Sequence, residues 1–236
     1  MKCDPETGVC LVADAAVSRR AVDKKLAVHY IGDPMCSWCW GISSALKATE
    51  AFCADENIAF NVNVGGLRVG GGDPWNTQFK DFLRHEWQHI SQVSGQPFGY
   101  TLLERDEFNY DTEPACRAVV SVQLLQERDR LPLGVVLEFF SAVQQHFYVD
   151  GADPRDVEFY QGPCARVGID FAAFKQLFSS ETARHAVQRA FEQRRQWSVN
   201  SFPTLLLEVD GEHIVLAQGY TTGEQVLTAL QRTLAA

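Results

Sequence analysis

Long hydrophobic runs are missing from this sequence. The longest stretch free of Asp, Glu, Lys and Arg is the 17 residues from Trp87 to Leu103, and glutamines, a histidine and glycines interrupt it. A bilayer span takes about 20 mostly apolar residues, so no membrane segment is expected. Positive charge is also short: 21 Lys and Arg against 30 Asp and Glu leave a net charge of −9. That balance argues against a nucleic-acid partner, whose phosphates are held by Lys and Arg. Cysteine is sparse and odd in number, with seven residues (Cys3, Cys10, Cys36, Cys39, Cys53, Cys116 and Cys164), which excludes a disulfide scaffold. The N-terminal residues carry acids where an export signal has its apolar core, so a cytoplasmic location is expected. No lysine followed by serine or threonine comes after the Gly70-Gly71-Gly72 run, and no GxGxxG exists, so no nucleotide loop is read there.

What remains is ordinary globular usage, 46% apolar and 22% charged over 236 residues, enough for one large domain or a small one carrying an insertion. Leu26 to Ile31 reads as a short buried strand closed by Gly32, Asp33 and Pro34. A helical pattern runs from Cys36 to about Ala54, and Ile58 to Leu67 alternates as a second strand. Strand, helix, strand in that order predicts a parallel βαβ unit. After the glycine cluster, residues 74–197 show helical periods only, including Phe79 to Ile90, Val119 to Leu125, Leu133 to Phe147, Pro154 to Val167 and Glu181 to Trp197. Strand character returns at Thr204 to Val209 and His213 to Ala217 around an Asp210-Gly211 hairpin turn, followed by an amphipathic helix from Gly223 to Leu234. The expected organisation is an N-terminal extension (1–25), a discontinuous α/β domain (26–73 and 198–236) and an inserted helical domain (74–197).

The sharpest local signal is Asp33-Pro34-Met35-Cys36-Ser37-Trp38-Cys39-Trp40-Gly41. Two cysteines at this spacing can close a disulfide or hold a metal. A zinc site needs two further ligands, and no second CxxC exists. Between a strand and the first turn of a helix the redox reading prevails, because unpaired N–H groups there favour negative charge on Cys36. Cys39, one turn inside the helix, is expected to keep its proton. Ser37-Trp38 brings no positive charge, and Asp33 is a nearby anion.

These residues, with Gly65-Gly66-Leu67-Arg68, the Asn109-to-Val119 stretch NYDTEPACRAV and Ser201-Phe202-Pro203-Thr204, resemble the DsbA family of thioredoxin-like thiol oxidoreductases, and within it the FrnE-type branch of protein-disulfide isomerase-like proteins. The resemblance covers about Leu26 to Leu234. It implies a thioredoxin-like α/β fold with an inserted helical domain, Cys36 as nucleophile and Cys39 as resolving thiol. Pro34, Met35, Ser37, Trp38 and Trp40 are the implied active-site neighbours. Pro203 is implied to be a cis-proline, with Phe202 holding the substrate backbone. The implied partners are a disulfide-containing protein or peptide and a thiol reductant such as glutathione or thioredoxin, with no cofactor beyond the cysteines and no metal. Without a histidine or cation between the cysteines, the reading leans to reductase or isomerase.

Other patterns carry rival readings. His85-Glu86-Trp87-Gln88-His89 matches HExxH, which on a helix puts two imidazoles on one side for zinc, with Glu86 as base and Glu104, Asp106 or Glu107 as a third ligand. A non-catalytic thioredoxin-like binding or chaperone module would use an aromatic groove at the domain junction, lined by some of Trp75, Phe79, Phe82, Phe139, Phe140 and Phe147, which are core by default. A glutathione-dependent isomerase of related fold typically has serine in place of the first cysteine, and this chain keeps Cys36. Cys53 and Cys116 read as small buried hydrophobes, and Arg184, Arg189, Arg194 and Arg195 as a solvated helix face.

Overall fold

The computed structural model describes residues 25–235, together with the backbone of two short paired strands, β1 (Lys2–Cys3) and β2 (Cys10–Leu11). The rest of the expected N-terminal extension, and the side chains of Cys3 and Cys10, lie outside the described residues. From Leu26 onward the order is β3 (Leu26–Gly32), α1 (Ser37–Gly41), α2 (Ser43–Asp55), β4 (Ala59–Val64), α3 (Thr77–Ser94), α4 (Glu113–Asp129), α5 (Val135–Tyr148), α6 (Gln161–Arg166), α7 (Phe171–Phe178), α8 (Glu181–Gln196), β5 (Thr204–Val209), β6 (Glu212–Gln218) and α9 (Gly223–Leu234). No helix among the described residues is long and apolar enough to cross a membrane.

The second sheet has the order β4-β3-β5-β6, with β3 parallel to β4 and antiparallel to β5, and β5 antiparallel to β6. The parallel pair is the βαβ unit read from the sequence. Asp210 and Gly211 form the two-residue loop between β5 and β6, both with positive φ (52° and 92°), the backbone that a tight hairpin matching strand twist requires. Side chains alternate across the sheet. Val28 and Tyr30 of β3 with Leu205 and Leu207 of β5 enter the main core, while Ile31 and Leu206 join a smaller cluster with Val199, Trp197 and Phe202.

Helices α3 to α8 all fall between β4 and β5, and aromatic residues fill their interior. Trp87, Phe139, Phe140, Phe147, Tyr148, Tyr160 and Phe174 are fully buried. Tyr30 meets Phe140 edge-to-face at 5.5 Å between ring centroids, which continues this core into the sheet. Three details differ from the sequence reading, the first being that the helix expected over Pro154 to Val167 is a 3₁₀ turn (Val157–Tyr160) followed by the short α6. The helix expected from Cys36 to Ala54 is broken at Ile42: Gly41 is a poor helix former, and Ser43 Oγ donates to the Trp40 carbonyl at 2.7 Å. An unanticipated helix, α7, is capped by Asp170, whose carboxylate accepts from the Ala173 N–H at 2.8 Å. At eight residues it is too short to show a period.

Helix α9 closes the sheet side by burying Val226 and Leu230, and Gly223 lets it approach α2, since a Cβ there would lie 3.3 Å from that of Ala48. Its start is a reciprocal capping box between Thr222 and Gln225. Thr222→Ala is expected to lower stability by about 1 kcal/mol, read as a lower urea midpoint at unchanged slope.

Candidate redox site

Cys36 occupies the N-cap of α1, separated from the C-terminal end of β3 by Asp33, Pro34 and Met35, and Cys39 lies inside the helix. Cys36 is 6% exposed and Cys39 is fully buried, and neither forms a disulfide. Burial pushes the Cys39 thiol well above the ordinary range, and the neighbouring Cys36 sulfur adds to that. Against this, the Asp33 N–H donates to the Cys39 sulfur at 3.5 Å. Tyr30 curls forward under the same sulfur. Gly32 is needed for it, because a Cβ there would stand 2.1 Å from the tyrosine oxygen. Among the described residues the buried Tyr30 hydroxyl has no hydrogen-bond partner, and burial followed by the Cys39 sulfur pushes its pKa well up.

The loop carrying the cysteines is shaped by a buried carboxylate. Asp33 Oδ1 accepts from the Met35 N–H at 2.8 Å, and Oδ2 accepts from the Leu67 N–H at 2.6 Å and the Cys116 thiol at 3.4 Å. Desolvation raises the Asp33 pKa, opposed by those hydrogen bonds. Cys116 is therefore more than the small hydrophobe read from the sequence, since its thiol helps to satisfy this group.

The helical segment reaches the loop through two more contacts. The Tyr110 hydroxyl donates to the Met35 carbonyl at 2.9 Å, and Trp40 Nε1 donates to the Pro97 carbonyl at 2.9 Å. The Gly65-to-Arg68 turn is fastened to the residues before α4. The Arg68 N–H donates to Thr112 Oγ1, the Thr112 N–H to the Arg68 carbonyl and the Gly70 N–H to Asp111. These contacts explain why the two short motifs belong to one site.

The Phe202–Pro203 peptide is cis and stands beside the pair, with the Cys36 thiol pointing at the Phe202 carbonyl at 3.8 Å. Gly65 leaves room for the Phe202 ring, which a Cβ there would meet at 2.1 Å. Arg194 buttresses both: Nε donates to the Gly65 carbonyl at 3.2 Å, Nη1 donates to the Val199 carbonyl at 3.0 Å, and the guanidinium lies over the Phe202 ring at 5.6 Å. Arg194 thus leaves the solvated face assigned to it. Its place among other surface arginines gives no signal of that.

Ser37 and Trp38 lie between the cysteines, and Trp38 is flanked by His89 and Tyr220, each 5.7 Å away between ring centroids. Leu67, Val69, Tyr220 and Phe82 are exposed apolar groups, Phe82 to 52%. A cavity of about 750 Å³ lies elsewhere, lined by Cys53 and parts of β4, α2 and α4, and the cysteine pair does not open into it. The HExxH-like stretch lies on α3. His85 is solvent-exposed, His89 packs on Trp38, and among the described residues no third ligand joins them. Glu104, Asp106 and Glu107 do not converge on it.

A mixed four-stranded sheet with a cysteine pair at the helix start after β3 and a cis-proline peptide opposite has the architecture of the thioredoxin-like thiol–disulfide oxidoreductases. No protein-family model matches the chain, and no curated protein does. Solved structures do. One from Nitrosomonas europaea, assigned as a candidate protein disulfide isomerase, is 30% identical with a TM-score of 0.75, over 89% of this chain and 98% of that one. The cytosolic disulfide reductase DsbM from Pseudomonas aeruginosa is 24% identical with a TM-score of 0.68, over 89% and 98%, and its structure with GSH also matches. A DsbA-type oxidoreductase structure from Streptomyces coelicolor shares the fold at 17% identity and a TM-score of 0.64, over 89% and 90%. The chain belongs to the DsbA family and is a thiol–disulfide oxidoreductase.

Asp33→Ala strips the acceptors from the buried Met35 N–H and the part-buried Leu67 N–H. A loss of about 2–4 kcal/mol is expected, measured by equilibrium denaturation of the reduced protein.

Proposed function

We propose that Cys36 is the attacking thiolate and Cys39 the resolving thiol in exchange with protein or small-molecule disulfides. The observation that carries this reading is the position of Cys36: at a helix N-cap, the less buried of the pair, with its sulfur facing the Phe202 carbonyl.

The Cys36 thiolate attacks one sulfur of the substrate disulfide. A Cys36–substrate bond forms, the substrate S–S bond breaks, and the released thiolate takes a proton from solvent. Cys39 then loses its proton and attacks the Cys36 sulfur. The second substrate thiolate leaves, and the oxidised Cys36–Cys39 pair is returned to its dithiol form by an external thiol reductant. Two electrons pass from the pair to the substrate, and no cofactor takes part. Pro203 has no N–H, and Phe202 at the cis peptide offers its carbonyl to an extended substrate segment, a pairing mode that suits a backbone edge beside the cysteines. Trp38 with Tyr220 beside it, and the exposed Leu67 whose N–H bonds Asp33, offer apolar surface to substrate side chains. Pro34 and Met35 shape the loop, and Trp40 anchors it.

Glutathione or a thioredoxin-type dithiol is the proposed reductant, a reading supported by the Pseudomonas aeruginosa disulfide reductase whose structure carries GSH. That relative is described as cytosolic, which agrees with a cytoplasmic location for this chain. Ser37-Trp38 between the cysteines adds no cation, which favours reductase or isomerase work over strong oxidation.

Insulin reduction by dithiothreitol tests the assignment. The wild type is expected to accelerate it, and Cys36→Ser to abolish the acceleration. Cys39→Ser is expected to trap a mixed disulfide on Cys36, visible by mass spectrometry. Equal rates in all three proteins would sink the proposal. The release step has its own signature. Because burial keeps Cys39 protonated, its rate should climb with pH across roughly pH 6 to 9, by up to about tenfold per unit. Stopped-flow decay of a Cys36 mixed disulfide reads it, and a flat profile would place the slow step elsewhere.

A further inference from the structure

Away from the redox site, three ligand-bearing side chains converge on the opposite face of the sheet. They come from three neighbouring strands: His29 from β3, Glu208 from β5 and His213 from β6. Register brings them together. Glu208 is paired with His213 across β5 and β6, and it is paired with Ala27 across β3 and β5, two positions from His29 on the same face. His29 Nε2 lies 2.7 Å from Glu208 Oε2, and His213 Nε2 lies 3.9 Å from that oxygen. One ligand atom from each residue falls within 4.8 Å of the other two.

The rings are braced. Trp197 packs against both imidazoles, with centroid distances of 4.7 Å to His29 and 4.8 Å to His213. On its far side His29 Nδ1 meets the Asn63 side-chain amide at 3.4 Å. Side-chain exposure is 9% at His29, 32% at Glu208 and 25% at His213, so the cluster opens to solvent at Glu208 and His213.

We propose that His29, Glu208 and His213 form a binding site for a divalent transition-metal ion of the zinc type. Zinc takes imidazole nitrogen and carboxylate oxygen at about 2.0–2.2 Å in tetrahedral geometry, which sets neighbouring ligand atoms about 3.3–3.5 Å apart. The observed separations lie on both sides of that value, so side-chain rotation alone converts the cluster into a three-ligand set. Two imidazoles and a single carboxylate suit such ions and not calcium or magnesium, which take oxygen. The fourth position faces solvent. Asn63 supplies the outer contact that fixes ring orientation, since its amide can present oxygen to Nδ1–H once Nε2 holds the metal. The ion would cross-link β3, β5 and β6, independent of the cysteine chemistry.

The experiment uses the full chain carrying Cys36→Ser and Cys39→Ser, so that the redox thiols cannot take the ion. Zn2+ affinity is read by competition with a chromophoric chelator, and Co2+ is substituted to report ligand type. One ion per chain is expected, with visible Co2+ d–d bands and no thiolate-to-cobalt charge transfer. In the same background His213→Ala, on the exposed strand, should weaken Zn2+ binding by more than about tenfold, and Asn63→Ala by roughly 10–100-fold. Circular dichroism of the metal-free variants controls for folding. Failure to bind Zn2+ stoichiometrically, thiolate charge transfer in the Co2+ spectrum, or less than a tenfold change in His213→Ala would each overturn the site and leave the three residues as a hydrogen-bonded cluster.

Discussion

The redox site hangs on one buried carboxylate. Asp33 has no solvent contact, and the groups that hydrogen-bond its two oxygens are donors: the Met35 and Leu67 N–H groups and the Cys116 thiol. Burying a carboxylate is costly unless such donors surround it, and the raised pKa of Asp33 shows that desolvation still outweighs them. In return, one side chain joins the end of β3, the turn after β4 and helix α4. It sets the path of Pro34 and Met35, and so the point at which Cys36 caps α1. Its own N–H faces the Cys39 sulfur, which puts the same residue in contact with both the scaffold and the cysteine pair.

Around that point the molecule is built in two materials. The sheet uses aliphatic residues at alternate positions, and the helical segment between β4 and β5 uses aromatic ones. Tyr30 and Phe140 join the two. The hydroxyl of Tyr110 and the indole of Trp40 then reach the backbone of the cysteine loop and of the Pro97 segment. The aromatic core thus also positions the chemistry.

Much of this is legible in the sequence because its signals are local. The strand LAVHYI, the cysteine spacing, the Asp210-Gly211 hairpin and the period of α9 each fall within one short window, where backbone preference and alternation act. What escapes is non-local. Arg194 looks like any helix arginine until Gly65 and Phe202, one of them far off in sequence, are brought against it. Asp33 reads as a nearby anion until Leu67 and Cys116 arrive to bond it. His29, Glu208 and His213 are separated by up to 184 positions and meet only through strand register. The break at Ile42 escapes too, because hydrophobic period alone does not register a serine hydroxyl bonding the preceding turn.

The bonds from Tyr110 and Trp40 bear on how far the helical segment can move against the cysteine loop. A cap that swings would have to release the Met35 and Pro97 carbonyls, and with them the path of the loop that presents Cys36. Opening would therefore dismantle the reactive geometry it was meant to expose. The exposed side chains of Leu67, Val69, Phe82 and Tyr220 take no part in those bonds. The exposed side chains near the loop are thus free to vary in sequence while the backbone that carries the two cysteines keeps its path.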